Sequence, residues 1–413
     1  IEYFILNCNK FFIFYYNSMS ESKTEKFAKM AQNISNKIMG SNCYLIVVYL
    51  LSIVFIIIFT YSLYLRKELT KQTNNITAMK KLEMGDEKTI APLALNDYKA
   101  TNKNGLSTTL IDYYVYGSHN TCCTGEVING YVSIEALKTV INLGVRLLDF
   151  EIYFKDEKVV VAAGRNNIYM KDTYNELEIG SVFAEIKKSA LRGIQNSSDP
   201  LILNFRIVSK NPNVAHILEK KILEHFSDFL VDKHTPIEKS TINGTVLNTP
   251  FKNLKNKVII FVDDPYKNSY DNVGFKEIIN ACTNSESCDG KIKLYNDYQI
   301  QMEGSPDLYM NESKSNFILT TPNVMGDNSK WLMHHQCGVQ GVLMNFGGGF
   351  HGDKLKGYRL KFLNKQKAFI LKPQNLRKRP ETILKIEAQN QEMDPTQKIH
   401  IQKIGNMEIP MLL

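Results

Sequence analysis

The chain has 413 residues, 44% of them hydrophobic and 22% charged, with 50 Lys and Arg against 42 Asp and Glu. This length exceeds the usual size of one domain, so we expect one large domain with an appendage. The formal net charge of +8 would help a domain lie against anionic lipid, but it is dispersed along the chain and solubility alone would explain it equally well. No nucleic-acid partner is expected. The seven cysteines indicate no disulfide framework.

The first 43 residues form an aromatic and then polar N-terminal segment. The chain begins with Ile1, and its first 18 residues are rich in aromatic side chains and Asn, as translated leader sequence often is. We therefore expect Met19 to be the true start. A fragment that retains part of a hydrophobic segment is the alternative.

Residues 44–65 are 22 mostly apolar residues without a charge. As a helix they would measure about 33 Å, which matches the hydrocarbon core of a bilayer. Tyr44, Tyr61 and Tyr64 fall near the two expected interfaces, and Arg66 follows the apolar segment. We predict a single-pass membrane helix here. A cleaved signal peptide would have a shorter apolar region followed by small residues.

Residues 66–104 lack sustained periodicity and are predicted to be a linker between the membrane and the large domain. Lysines precede the apolar segment and basic residues also follow it, so the charge bias only slightly favours a cytoplasmic position for the large domain. The chain has five Asn-x-Ser/Thr sequons, which would be glycosylated only on a lumenal side: Asn33, Asn75, Asn196, Asn243 and Asn311.

The segment 113–165 reads as a strand, a polar loop, a helix, a strand, a turn and a strand. A Gly-Ser-His-Asn-Thr stretch follows the first strand, and Ser133 is placed to cap the helix. The next strand carries Asp149 and Glu151 two residues apart, so both carboxylates point to one side of the sheet. Two charges on a buried strand are unfavourable unless a cation or a hydrogen-bond network meets them. This pattern indicates a functional site.

Strands and amphipathic helices continue to alternate after residue 165. This alternation predicts a parallel α/β barrel of the TIM type over residues 105–380, with functional residues at the carboxyl ends of its strands. Its halves would be 105–230 and 251–380, joined by a polar connector at 231–250. Residues 381–413 are predicted to be a C-terminal tail.

Two clusters are weaker signals. Cys282 and Cys288 could close a small loop, although free thiols are favoured. His334 and His335 suggest a metal site, but no second cluster completes a tetrahedral ligand set, so metal binding there is not expected.

The motif Gly-Ser-His-Asn-Thr, the capped helix and the run Gly-Val-Arg-Leu-Leu-Asp-Phe-Glu at 144–151 resemble the first catalytic half of phosphoinositide-specific phospholipase C. The segments 338–346 and 368–377 resemble the second half, in the same order. The resemblance covers about 105–380. It implies a distorted barrel that cleaves an inositol phospholipid between glycerol and phosphate, with a membrane phospholipid as substrate or ligand.

The resemblance also assigns residues. His119 corresponds to the histidine that stabilises the phosphorane, and Asn120 to a neighbouring asparagine that binds calcium. Asp149 and Glu151 correspond to the two acidic calcium ligands, in reversed order, and all of these except Asn120 are candidate catalytic residues. Arg165, at the end of the same block, is a further candidate for the substrate phosphate.

Two positions depart from the family pattern. The second catalytic histidine is replaced by Ala163, which cannot transfer a proton. A fourth calcium ligand, a glutamate, is replaced by Arg206, whose guanidinium could neutralise the carboxylates and hold a phosphate. No cofactor is therefore expected, and calcium would bind weakly at most.

Three functions remain open at this level. The chain is a membrane-anchored phosphodiester hydrolase with altered or reduced catalysis, or a pseudoenzyme that binds a phosphate ligand without cleaving it. The third alternative is a structural membrane protein that keeps the barrel as a scaffold. His119 and the acidic pair favour the first two, because burying such groups for stability alone is unfavourable.

Overall fold

The computed structural model describes residues 29–30, 32–33, 43–85, 88–101, 105, 107–165, 170–231, 246–284, 288, 290–302, 305–323, 327–377, 399–404 and 407–412. The chain divides into two compact units, Ile1–Asn74 and Asn75–Leu413. The predicted start at Met19, most of the 231–250 connector and residues 378–398 of the predicted tail lie outside the described residues.

Helix α1 spans Cys43–Met84. From Leu45 onward it is long and apolar enough to cross a membrane, with a mean hydropathy of 2.6 in its most apolar window and none of that window buried. Its large apolar side chains from Leu45 to Tyr64 are exposed. By length and composition the helix is therefore a candidate membrane span, in the place that the sequence predicts.

The structure differs from the predicted linker at 66–104. Helix α1 continues to Met84, and Met79 is only 1% exposed. Ile90, Leu93 and Tyr98 are also buried, and Tyr98 stacks on Phe251 with ring centroids 5.5 Å apart. These apolar residues are too widely spaced to give a periodic signal, yet together they cover part of the core of the second unit.

Eight parallel strands form a nearly closed barrel, as the sequence predicts. They are β1 (Tyr113–Ser118), β2 (Leu147–Lys155), β5 (Leu201–Ile207), β6 (Val258–Asp263), β7 (Ala281–Cys282), β8 (Ile292–Asn296), β9 (Phe317–Thr321) and β10 (Gly341–Met344). Their order is β7-β6-β5-β2-β1-β10-β9-β8. A parallel bridge between Cys282 and Lys291 brings β7 to the start of β8.

Three short strands extend this sheet. β3 (Lys158–Ala162) pairs antiparallel with β2, β4 (Leu177–Glu178) pairs with β3, and β11 (Phe369–Leu371) pairs with β1. Separately, β12 (Ile399–Ile404) and β13 (Met407–Leu412) pair as an antiparallel hairpin within the predicted tail.

Helices connect the strands. They are α2 (Leu95–Tyr98), α3 (Ile134–Asn142), α4 (Ile179–Ser189), α5 (Asn213–Phe226), α6 (Val273–Ile278), α7 (Asp297–Met302), α8 (Pro306–Glu312), α9 (Trp331–Gln336) and α10 (Asp353–Lys365). The predicted cap of α3 is present, because Ser133 Oγ accepts a hydrogen bond from the N–H of Glu135. The apolar faces of these helices bury Val, Ile, Leu and Phe against the barrel.

The expectation of free thiols at Cys282 and Cys288 is wrong, because the two cysteines form a disulfide with Cα atoms 6.1 Å apart. Cys282 ends β7, and Cys288 follows six residues later in the chain. Cys122, Cys123 and Cys337 are free and buried.

Candidate active site at the mouth of the barrel

Three adjacent strands carry the polar centre of the barrel. His119 and Asn120 directly follow β1, while Asp149 and Glu151 lie in β2. The parallel register of β2 and β5 sets Glu151 beside Arg206 and Asp149 beside Asn204. Side chains two residues apart on a strand share a face, so Asp149 and Glu151 point to one side of the sheet, as do Asn204 and Arg206.

Arg206 is the centre of the resulting network. Its Nε and Nη2 donate to Asp149 Oδ1 and Oδ2 at 2.9 and 2.8 Å, and its Nη1 donates to Glu151 Oε1 at 2.7 Å. Nη2 also donates to Asn120 Oδ1 at 2.6 Å. Burial opposes the charge of this guanidinium, but the two carboxylates outweigh it and raise the pKa of Arg206.

Asp149 is completely buried and receives further donors. The N–H of Asn120 donates to Oδ2 at 3.0 Å and Asn204 Nδ2 donates to Oδ1 at 2.8 Å. Burial favours the neutral acid, but the charge of Arg206 and the neighbouring His119 outweigh it and hold the pKa of Asp149 well below its usual range. Asp149 therefore stays ionised at neutral pH.

Glu151 has other partners besides Arg206, and one is Asn120, whose Nδ2 donates to Glu151 Oε1 at 3.5 Å. Its Oε2 accepts from Tyr153 Oη at 2.8 Å and from the N–H of Gly164 at 2.7 Å. Tyr153 lies two residues further along β2, on the same face of the sheet. The carboxylate is thus fixed between strands β2 and β5 and the loop after β3.

His119 is held by its neighbours with its ring at the surface of the site. Its Nδ1 lies 3.0 Å from Asp149 Oδ2, and its Nε2 lies 3.3 Å from Asn120 Nδ2. With the proton on Nδ1, beside the carboxylate, Nε2 carries a lone pair. Asn120 has a φ of +41°, a left-handed conformation that asparagine tolerates better than most residues. This turn lets its backbone and side chain serve Asp149 and Arg206 together.

A cavity of about 480 Å³ opens over this network. Its lining combines apolar, amide and acidic side chains with backbone. The lining residues are His119, Asn120, Glu126, Val127, Ile128, Glu151, Gly164, Thr321, Pro322, Asn323, Asp327, Asn345, Gly349 and Phe350. A pocket of this size at the carboxyl ends of barrel strands is the usual place for a ligand in this fold.

Arg165 and Ala163 lie apart from this cavity. The Arg165 side chain is 47% exposed and pairs with Asp172, with 3.0 Å between Nη2 and Oδ1. Ala163 is completely buried among core residues, and its carbonyl accepts from the N–H groups of Asp172 and Thr173. Neither residue lines the cavity. The structure therefore brings together His119, Asn120, Asp149, Glu151 and Arg206, and leaves Arg165 outside.

Asn204 and Tyr153 were not anticipated from the sequence. Each lies two residues from a recognised residue on the same strand, so the period of two was a signal that could have identified them. Thr321, Asn323 and Asn345 belong to the second half of the barrel, and the pairing of β10 with β1 and of β9 with β10 brings them to the cavity that His119 lines.

The oxygen atoms that the family resemblance assigns to calcium are already engaged. Asn120 Oδ1, both Asp149 oxygens and Glu151 Oε1 all accept hydrogen bonds from Arg206. Calcium takes six to eight oxygen ligands, and a guanidinium in their midst repels a divalent cation. Within the described part of the chain, no group of three or more His, Cys, Asp or Glu side chains could hold a metal ion. These residues do not fit calcium.

Comparison with known proteins agrees with this architecture. Residues 106–263 match the sequence model of the phosphatidylinositol-specific phospholipase C X domain. Among solved structures, PLC21 of L. pealei matches over 68% of this chain with 18% identity and a TM-score of 0.53, and PLC21 of S. officinalis matches over 68% with 19% identity and a TM-score of 0.52.

At this identity the likeness to PLC21 concerns the fold alone. The match spans only 39% and 38% of the two PLC21 chains. No curated protein matches the sequence. With the motifs, the barrel and the X-domain match in agreement, the chain contains over residues 106–263 a divergent domain similar to the X domain of phosphatidylinositol-specific phospholipase C.

Proposed function

We propose that this protein cleaves the phosphodiester bond of inositol phospholipids without a metal ion, and that it does so slowly with natural lipids. The observation that carries the proposal is the pairing of His119 with Asp149 beside the Arg206 guanidinium, all at the floor of one cavity. In this site Arg206 takes the structural place of a cation.

His119 supplies the base. With Nδ1 beside Asp149, Nε2 accepts the proton of a headgroup hydroxyl, whose oxygen then attacks phosphorus. The bond between phosphorus and the glycerol oxygen breaks, and the headgroup leaves as a cyclic phosphate. Asp149 stabilises the imidazolium that forms, because its carboxylate stays ionised.

The glycerol oxygen leaves as an alkoxide and needs a proton. The position that the family resemblance assigns to the acid is Ala163, which has none to give. A leaving group that is stable without protonation, such as nitrophenolate, should therefore be released much faster than glycerol.

A binding-only function is the second candidate, and the engagement of Arg206 favours it. The guanidinium has five N–H donors, and its bonds to Asp149, Glu151 and Asn120 leave little free to meet a phosphate. The ligand would then be held mainly by His119 and by the backbone of the cavity.

We also propose that α1 anchors the protein in a bilayer through residues 44–65. The support is the length and exposure of its apolar surface. The substrate is then a lipid of the membrane in which the protein resides.

The test uses the full-length protein in detergent micelles with two substrates, phosphatidylinositol and a nitrophenyl phosphodiester of inositol. We expect the nitrophenyl diester to be cleaved at least about a hundredfold faster, by the size usual for a missing acid, with no loss of rate in chelator. His119→Gln should abolish cleavage, and Arg192→Met, an exposed arginine remote from the site, should not change it. Cleavage of phosphatidylinositol that depends on calcium would contradict the proposal. Binding of the diester without any cleavage would establish the binding-only function.

A further inference from the structure

The charges that line the cavity limit how much negative charge the headgroup of a ligand can carry. We propose that the site selects phosphodiesters whose headgroup is an uncharged polyol, and rejects headgroups that carry further phosphate groups. This inference rests on the proposed function, because it concerns the same cavity and the same phosphodiester.

The first observation is the sign of the lining charges. Glu126, Glu151 and Asp327 line the cavity, and His119 is the one titratable base among the described lining residues. No lysine or arginine belongs to that set. A headgroup with extra phosphates would thus enter a cavity whose fixed charges are of its own sign.

The second observation is that the nearest cationic side chains already have anionic partners. Arg206 is bound to Asp149 and Glu151 beneath the cavity. At the rim, Lys354 Nζ lies 3.3 Å from Asp327 Oδ2. These two cations are outnumbered, because Asp149, Glu151, Glu126 and Asp327 bring four negative charges against the two positive charges of Arg206 and Lys354. The net field toward a ligand is therefore negative.

Arg165, the residue after the cavity-lining Gly164, also has an acidic partner. Its guanidinium forms two hydrogen bonds with Asp172, from Nε at 3.2 Å and from Nη2 at 3.0 Å. Recruiting it to a phosphate would leave Asp172 without this partner.

The third observation concerns the neutral polar groups of the lining. The second half of the barrel contributes the hydroxyl of Thr321 and the amides of Asn323 and Asn345 to the lining. Hydroxyl and amide groups both donate and accept hydrogen bonds, which suits the hydroxyls of a polyol. Each additional phosphate monoester brings nearly two negative charges at neutral pH, so its approach to Glu126 and Asp327 is repulsive.

The experiment compares two water-soluble ligands, glycerophosphoinositol and its 4,5-bisphosphate. Their binding to the full-length protein in nanodiscs of uncharged lipid is measured by calorimetry. We expect the bisphosphate to bind at least about tenfold more weakly, the size of effect that like-charge juxtaposition produces. The difference should shrink as salt is raised from 20 to about 300 mM, because mobile ions screen the repulsion.

Two variants and a control locate the effect. Glu126→Gln and Asp327→Asn should each reduce the ratio of the affinities for the two ligands by about threefold, because each removes one negative charge from the cavity. Asp228→Asn removes an exposed acid beside the start of β6, at the opposite end of the barrel, and should leave the difference unchanged.

The outcomes separate this inference from the proposed function. Equal or tighter binding of the bisphosphate would overturn the inference and leave the phosphodiester function intact. Failure of both ligands to bind would overturn both. A difference that persists in Glu126→Gln and Asp327→Asn would show that shape alone excludes the larger ligand, and would refute the electrostatic explanation.

Discussion

Arg206 and Asp149 face each other from neighbouring strands in a two-pronged contact, Nε to Oδ1 at 2.9 Å and Nη2 to Oδ2 at 2.8 Å. The Asp149 side chain is fully buried, and that of Arg206 is 8% exposed. Two parallel bonds of this kind fix both groups in direction as well as distance. The pair therefore sets the geometry of the site on which His119 depends.

Loss of the guanidinium should destabilise the fold. Arg206→Met leaves Asp149 and Glu151 buried together without a cation, and we expect a loss of about 3–5 kcal/mol in the free energy of unfolding at pH 7.5. Thermal or urea unfolding of the detergent-solubilised protein measures it. Arg192→Met, which alters an exposed arginine, should cost less than about 0.5 kcal/mol.

The same variant should show an altered dependence on pH. In the wild type the pKa of folded Asp149 lies below its unfolded value, so its contribution to stability is complete above about pH 4 and is lost only as the pH falls further. Without Arg206, burial raises the pKa of Asp149 above its unfolded value, so the folded state binds a proton more readily. Arg206→Met should therefore recover stability between pH 7.5 and 5, where the wild type should change little. A variant that is least stable at pH 5 would contradict this.

Calcium should not change the melting temperature of the wild type, but it should raise that of a variant with one substitution at Arg206. We expect no shift of the melting temperature with 1 mM or more calcium, since Arg206 engages the required oxygens. Arg206→Glu replaces the cation with a carboxylate beside Asp149, Glu151 and Asn120, and should be stabilised by calcium by several degrees. Magnesium is the control ion. Stabilisation of the wild type by calcium would show that Arg206 leaves the site readily.

Membrane association should depend on residues 44–65. Carbonate extraction should leave the full-length protein in the membrane pellet, because an apolar helix of this length stays in the bilayer when peripheral contacts are broken. Replacing three central residues, Ile56, Ile57 and Ile58, with lysine should release it. Recovery of the unaltered protein in the soluble fraction would refute the anchor.

The Cys282–Cys288 disulfide makes a prediction about membrane sidedness. Disulfides persist in oxidising compartments, so we expect the unit Asn75–Leu413 on the lumenal or outer side, against the slight cytoplasmic bias of the flanking charges. Exposed Asn311 should then carry a glycan, and Asn311→Gln should remove one step from the mobility shift produced by glycosidase. Asn196→Gln is the control, since the Asn196 side chain is buried and donates to Gly144. Two reactive thiols at 282 and 288 before reduction would show that the bond does not form.

The order of strands and helices could be predicted from the sequence because it rests on local patterns. Buried strands such as 258–263 are continuous apolar runs, and helices such as α4 place Val182, Phe183 and Ile186 on one face. The spacing of Asp149 and Glu151 likewise required only the period of a strand. The helix at 44–65 could also be predicted, because an uncharged apolar segment of this length is typical of a membrane span.

The amino-acid sequence by itself thus determined the barrel class, the apolar helix and the residues that could form a site, because each follows from short-range periodicity and residue type. Tertiary structure decided what those residues do to one another. The register of β2 against β5 placed Arg206 on the carboxylates, and the loop after β3 left Arg165 with Asp172. The pairing of β1 with β10 brought Asn345 to the cavity that His119 lines, and the packing of Met79 and Ile90 made part of an expected linker a part of the core. Such contacts join residues that are far apart in the chain, so local sequence patterns cannot predict them.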